Sequence, residues 1–227
     1  MPDPHIGTLR EKPLHASLKQ WCALPGDRME VPVDGFVIDL VRDGLLIEIQ
    51  TGGFSSMKRK LSALLERDHR VRIVHPIATD TWIVKVEEDG TINDPRQSPK
   101  HGVPADVFGE LVSFPHLIAH PGFEIEVVMT TEEQYRARTG HRAWRRNGWS
   151  VLERRLIDVV DSVLLSKPGD LVDLIPGTLP APFTTADLAA ALGRPRRTAQ
   201  QAAYCLRKAE VITAVGKDGN AVLYEVA

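Results

Sequence analysis

Apolar and polar residues alternate along residues 28–50 in a way that predicts three short antiparallel strands. Two Asp-Gly pairs, Asp34-Gly35 and Asp43-Gly44, separate runs that are rich in valine, isoleucine and leucine. Asp-Gly pairs favour two-residue hairpin turns, because these turns need left-handed backbone conformations. The pattern therefore predicts a meander of three strands joined by tight turns.

Apolar residues recur at helical spacing on both sides of this meander. A helix is predicted over residues 13–22, where Pro13 suits the first turn and one face carries Leu14, Leu18, Trp21 and Cys22. A second helix is predicted over residues 54–67. The elements predicted next are strands at 71–77 and 81–86, a loop at 87–102, a short helix at 107–118 and a strand at 123–130.

The pattern changes after Gly148. Helices are predicted over residues 151–165, 184–192 and 195–209, followed by short strands at 211–215 and 221–226. Thr184 or Thr185 suits the N-cap of the middle helix, and Gly193 suits its end. The order of helix, helix, turn, helix and β-hairpin is typical of a winged helix.

The tight turns predict a row of carboxylates on one face of the meander. If both turns have two residues, Glu30 lies opposite Asp39 and Asp39 lies opposite Glu48, while Gln50 points the same way as Glu48. Aligned carboxylates repel each other, and oxygen donors of this kind suit Mg²⁺ or Mn²⁺. The alternative is a solvated polar face. The apolar residues that surround Glu48 within 45–49 favour the metal site.

The stretches Val37-Ile38-Asp39 and Leu46-Ile47-Glu48-Ile49-Gln50, set between predicted helices and strands, resemble the PD-(D/E)xK nucleases. The resemblance covers roughly residues 9–86 and implies that Asp39 and Glu48 hold the metal. It also implies that Gln50, where most members have lysine, positions the attacking water. Ile38 stands where the motif has proline. Lys58 or Lys60, on the following helix, is a candidate for a lysine that has moved to another element, and the alternative is a basic helix face.

Two further acids are candidates for this site. Glu11 precedes the first helix, where members of this fold often carry an acidic residue that faces the metal. Its alternative role is a helix-terminal acid or a capping box with Thr8. Glu30 is included from the hairpin register alone.

A basic segment precedes the predicted winged helix. Seven arginines and one acid, Glu153, lie between Arg136 and Arg155, with tryptophans interleaved. Guanidinium groups bind phosphates, and aromatic rings stack on unpaired bases. The residues expected to contact phosphates are Arg142, Arg145 and Arg146, whereas Trp149 is expected to anchor the second core.

The last predicted helix carries polar residues on the side away from Ala199, Ala202 and Leu206. Arginine and glutamine are the residue types that read guanine and adenine edges. The expected nucleic-acid contacts here are Arg196, Arg197, Gln200, Gln201 and Tyr204, together with Lys217 on the wing. Winged helices also bind proteins, which is the alternative.

Composition adds limits. The formal net charge of −2 gives no overall basic signature, so a nucleic-acid partner requires a local basic surface. The two cysteines lie far apart and predict neither a disulfide framework nor a zinc site. No targeting segment and no membrane-spanning apolar run is recognised, which predicts a cytoplasmic protein without a membrane partner.

The sequence thus predicts an α/β protein with a restriction-endonuclease-like αβββαβ core and a mixed sheet. We expect a nuclease-like domain at 1–131, a basic linker at 132–148 and a winged helix at 149–227. The expected function is metal-dependent endonucleolytic hydrolysis of phosphodiester bonds, with DNA as the first choice of substrate. Alternatives are a ribonuclease or structure-specific nuclease, and a non-catalytic winged-helix DNA-binding regulator with a degenerate nuclease domain. The sequence leaves a homodimer open.

Overall fold

The computed structural model describes residues 12–87, 91–138 and 148–227. The chain divides into two compact units, each assembled from three separate segments. One unit comprises residues 1–25, 78–102 and 129–161, and the larger one comprises residues 26–77, 103–128 and 162–227.

The larger unit begins with the predicted meander, formed by β1 (Arg28–Val33), β2 (Phe36–Arg42) and β3 (Leu45–Ile49). Both Asp-Gly turns have positive φ at each residue, with 50° and 83° in the first turn and 45° and 79° in the second. These values fit two-residue turns of the mirror-image type that matches strand twist. Pairing of Val33 with Phe36 and of Arg42 with Leu45 confirms the predicted hairpins.

A helix then carries the chain over to a parallel strand. Residues Phe54–Met57 form a 3-10 turn that continues into α2 (Lys58–Leu65), and β4 (Arg70–Val86) runs parallel to β3. All five residues of β3 are buried. A strand that is paired on both sides and covered on both faces explains the nearly continuous apolar run. The two strands predicted at 71–77 and 81–86 are one continuous strand, because residues 78–80 contain no glycine or proline to break it.

The strand order of the sheet is β1-β2-β3-β4-β6-β7, and the short β5 (Arg96–Gln97) pairs with β4. Here β6 spans Phe123–Arg138 and β7 spans Trp149–Leu165. Antiparallel and parallel neighbours coexist, so the sheet is mixed and the predicted α/β class is confirmed. The single helix predicted at 107–118 is instead α3 (Phe108–Leu111) between two 3-10 turns, because Pro115 interrupts it.

The helix predicted at 151–165 is wrong, because these residues belong to β7. The segment has apolar residues at both helical and alternating spacings, and it is rich in valine, which favours strands. Likewise, the described residues 132–138 of the predicted linker continue β6.

The C-terminal part contains α4 (Asp170–Asp173), α5 (Thr185–Leu192), α6 (Arg196–Lys208) and the hairpin of β8 (Ile212–Asp218) and β9 (Ala221–Val226). Thr184 caps α5 and forms a capping box with Asp187, and Gly193 ends the helix at φ 58°. Phe183 adds a single bridge to Tyr224 of β9. The two predicted helices and the hairpin are therefore present without the first predicted helix.

The other unit contains α1 (Pro13–Cys22), whose residues Leu14 and Leu18 are buried. Its strand residues include the buried Glu132, which accepts two hydrogen bonds from Arg154, at 2.7 and 2.8 Å. Trp149 does not anchor a helical core as expected. It is half-buried at the start of β7, with the Lys85 ammonium 4.7 Å from its ring centre. In the described part of the chain, no helix is long and apolar enough to cross a membrane.

Candidate functional site

The β2–β3 hairpin brings two carboxylates together. Its register pairs Leu40 with Ile47, so the next residues in line are Asp39 and Glu48. An Asp39 carboxylate oxygen accepts a hydrogen bond of 2.8 Å from the backbone N–H of Ile49. This bond holds the Asp39 carboxylate over β3, beside the side chain of Glu48.

Glu48 is a buried acid, with 6% of its surface exposed. Burial raises the pKa of Glu48 to about 7, and the negative charge of Asp39 adds to this rise, whereas the nearby Lys60 ammonium opposes it. A carboxyl group in this state gains from a further positive charge, since burial penalises its ionised form.

Lys60 of α2 supplies one positive charge. Its Nζ donates to Glu48 Oε1 at 2.5 Å and to the backbone carbonyl of Val37 at 2.7 Å. Lys58 is exposed to solvent. Two residues along a helix correspond to a rotation of about 200°, so the two lysines point in different directions. Of the two lysines considered from the sequence, the structure places Lys60 at the carboxylates.

The side chain of Gln50 forms hydrogen bonds with the loop that follows β3. Its side-chain Nε2 donates to the carbonyl of Gly53 at 2.8 Å and lies 3.4 Å from Ser56 Oγ. Its backbone carbonyl lies 2.7 Å from Nδ1 of the buried His75. The amide therefore stabilises the turn into α2, and its donor is directed at the backbone.

Glu30 does not complete a row of three acids. The register on either side is the one predicted, since Val31 pairs with Ile38 and Met29 pairs with Leu40. Glu30 itself is exposed and has a φ of 52°, which interrupts the extended backbone of β1. Among the described residues, no group of three or more His, Cys, Asp and Glu side chains could hold a metal ion. Glu11 lies outside the described residues.

The exposed side of α6 is basic. At 100° per residue, its exposed residues fall within about 120° of the helix circumference. In angular order, the residues on this arc are Arg196, Arg207, Gln200, Tyr204, Arg197 and Lys208, and all of them are exposed. The arc contains four cations and no acid. Arg207 and Lys208 were absent from the sequence prediction, although their spacing of 11 residues from Arg196 and Arg197 would have placed them on this arc.

The opposite side of α6 packs against α3. Cys205 Sγ donates to the Phe108 carbonyl at 3.8 Å, and Arg194, just before the helix, donates to Asp106 at 2.6 Å. The side-chain amide of Gln201 lies against Gly109 of α3. A Cβ atom added to Gly109 would be 3.8 Å from the amide oxygen, which is an ordinary van der Waals distance. Gln201 is thus half-buried beside α3 and does not share the exposed arc, contrary to the sequence prediction.

The remaining predicted nucleic-acid contacts are divided between the hairpin and the basic segment. Lys217 is exposed on β8, close to the turn that joins it to β9. Arg142, Arg145 and Arg146 lie outside the described residues.

Comparison with known proteins identifies the family. A family described as a domain of unknown function (DUF8091) matches residues 12–166, which include both carboxylates and the whole sheet. A Treponema pallidum (strain Nichols) protein, described as uncharacterized, is 30% identical over 187 residues. The aligned region covers 81% of this chain and 73% of that relative. No solved structure matches the chain significantly. The chain belongs to the DUF8091 family.

Proposed function

We propose that this protein is a metal-dependent nuclease that hydrolyses phosphodiester bonds in DNA. The observation that carries the proposal is the cluster of Asp39, Glu48 and Lys60, in which the half-buried Asp39 and the buried Glu48 lie on neighbouring strands beside an ammonium group. Along the chain, the elements that precede and follow these residues come in the order helix, three strands, helix and strand. The same order and the same residue types are expected from the resemblance to PD-(D/E)xK nucleases.

The donors of this cluster fit a hard divalent cation. Mg²⁺ is commonly bound through one or two carboxylates while substrate phosphates and water complete its coordination. Asp39 and Glu48 supply two carboxylates. Because burial raises the pKa of Glu48 to about 7, its ionised form would be stabilised by an additional positive charge nearby. When bound, Mg²⁺ or Mn²⁺ would neutralise charge on the scissile phosphate and activate a water molecule.

Lys60 takes the role that the resemblance assigns to the motif lysine. Its ammonium donates hydrogen bonds to Glu48 and to the Val37 carbonyl, and these bonds fix its position beside the carboxylates. From this position it can orient a water molecule and stabilise negative charge that develops on the phosphate. Gln50 then acts as a positioning residue, because its amide fixes the loop between β3 and α2.

The C-terminal helices and hairpin supply a binding surface for the substrate. The exposed arc of α6 carries cations near both ends, with Gln200 and Tyr204 between them. Cations bind phosphates and release counterions, whereas glutamine can read a base edge. We therefore assign α6 and Lys217 to a winged helix that binds DNA, and Arg142, Arg145 and Arg146 remain candidates for further phosphate contacts.

A cleavage assay tests the nuclease. Labelled duplex DNA is incubated with Mg²⁺ or Mn²⁺, and a chelator serves as the blank. We expect cleavage by the parent protein and its loss in Asp39→Asn, Glu48→Gln and Lys60→Ala. Lys58→Ala changes a neighbouring lysine on the same helix and should retain activity. Full activity in Lys60→Ala would refute the role given to that ammonium.

The second candidate function is a DNA-binding regulator without catalysis. It is favoured by Gln50, which occupies the position of the motif lysine and is engaged with the Gly53 carbonyl. In that case the Lys60–Glu48 contact is a structural ion pair. DNA binding by the parent protein without cleavage under any divalent cation would select this alternative.

Binding measurements at several salt concentrations test the surface on α6. Each lost phosphate contact should reduce the log–log salt slope by roughly 0.7–0.9. We expect this reduction in Arg196→Ala with Arg197→Ala and, independently, in Arg207→Ala with Lys208→Ala. Lys167→Ala removes an exposed cation outside α6 and serves as the control. Unchanged slopes in both double variants would refute the binding surface.

A further inference from the structure

The two edge strands of the sheet are protected very differently. At one edge, β1 has six residues, includes Pro32 and is interrupted by Glu30 with its positive φ. Proline lacks the N–H that a further strand would need, and a kinked backbone cannot continue a regular ladder. Strand β1 is therefore unsuited to pairing with another chain.

At the other edge, β7 has none of these features. It runs for 17 residues, contains no proline and has no residue with positive φ. Leu152, Ile157 and Val160 are exposed by 57, 51 and 52% of their surface. Long, regular edge strands with exposed apolar side chains readily accept another strand.

The charges of β7 indicate which strand pairs with it. Its first half carries Arg154 and Arg155 with one acid, Glu153, whereas its second half carries two acids, Asp158 and Asp161, and no cation. An antiparallel copy reverses this order, so the basic part of each strand lies along the acidic part of the other. A parallel copy would align like charges. Within the chain, Arg154 pairs with Glu132 and Arg155 pairs with Glu153. The side chain of Arg155 is still half exposed, so it is the cation best placed to meet an acid of the second copy.

We propose that β7 pairs in an antiparallel manner with β7 of a second copy of this chain, which makes the protein a homodimer with one continuous sheet. A two-fold axis makes the contact self-complementary, so that each copy covers the other's Leu152, Ile157 and Val160. The proposal is independent of the nuclease activity, because it concerns only the edge of the sheet.

The mass of the full-length protein in solution tests the proposal. Sedimentation equilibrium should give twice the chain mass of 25.1 kDa for the parent, and the mass of one chain for Ile157→Lys with Val160→Lys. Val215→Lys, at a similarly exposed valine on β8, should remain a dimer. Circular dichroism confirms that each variant is folded.

A second variant tests the polarity of pairing. Asp158→Arg with Asp161→Arg places arginines along arginines in the antiparallel pair and should weaken the dimer strongly. A parent that stays monomeric at its highest soluble concentration would overturn the proposal. A dimer that survives the Ile157→Lys and Val160→Lys changes would do the same, as would dissociation of the Val215→Lys control.

Discussion

Replacing Glu48 by glutamine should change how the stability of the protein depends on pH. The ordinary pKa of a glutamate is 4.5, and burial raises that of Glu48 to about 7. Between these values the folded protein keeps a proton that the unfolded chain has released. The free energy of unfolding of the parent therefore falls as pH rises through this window. At about 1.4 kcal/mol for each pH unit, the interval corresponds to roughly 3 kcal/mol.

Glutamine cannot ionise, so Glu48→Gln removes this contribution. The amide oxygen of glutamine can still accept a hydrogen bond from Lys60. Any difference in the strength of that bond is constant below the range where lysine titrates, so it cancels when two pH values are compared. We expect the stability of the parent relative to the variant to fall by roughly 2–3 kcal/mol between pH 5 and pH 8.

Urea denaturation of both proteins, without divalent cations, measures this difference. The same substitution at the exposed Glu66 controls for the loss of one carboxylate. A difference between parent and variant that is constant over this range would show that Lys60 fully offsets the effect of burial on the pKa of Glu48. The inference that Glu48 needs a further cation would then fail.

Three further changes have defined outcomes. Lys60→Met should lower the free energy of unfolding at pH 8 by roughly 1–3 kcal/mol in thermal denaturation, because the buried carboxylate of Glu48 loses one of its donors. A comparable loss in the exposed Lys58→Met would contradict the assignment. Thr184→Ala should cost about 1 kcal/mol in urea denaturation through loss of the N-cap, and Thr185→Ala, one residue later, should be nearly neutral. Burial raises the pKa of Cys205 to about 12, so a thiol reagent should label Cys205 only after unfolding, and rapid labelling of the native protein would contradict this.

The proximity of Asp39 and Glu48 could be predicted from sequence because local chemistry determines it. An Asp-Gly turn fixes the register of its hairpin, and the register then determines which residues lie opposite each other. The position of Glu30 could not be predicted in this way. The predicted register of β1 was correct, but Glu30 itself adopts a left-handed conformation that redirects the backbone. No glycine, asparagine or aspartate in β1 indicates such a conformation.

The choice between Lys58 and Lys60 depended on how α2 packs against the sheet. Helical spacing shows that the two side chains diverge, but it does not show which one faces β3. Similarly, β7 has apolar residues that satisfy both helical and alternating patterns. Pairing with β6 is what makes the segment a strand, and a pattern read along one segment does not show this tertiary contact.

The packing of α6 on α3 has a consequence for how the chain can be divided. The region shared with the family ends at residue 166, yet the larger compact unit also contains residues 162–227. Arg194 and Cys205 contact Asp106 and Phe108 within that unit. A truncation after residue 166 would uncover a buried surface of the sheet-bearing part and would not detach a separable appendage. The C-terminal residues therefore stabilise the larger unit, and we expect their removal to impair folding. A truncated chain would for that reason not be a suitable test of the proposed DNA binding.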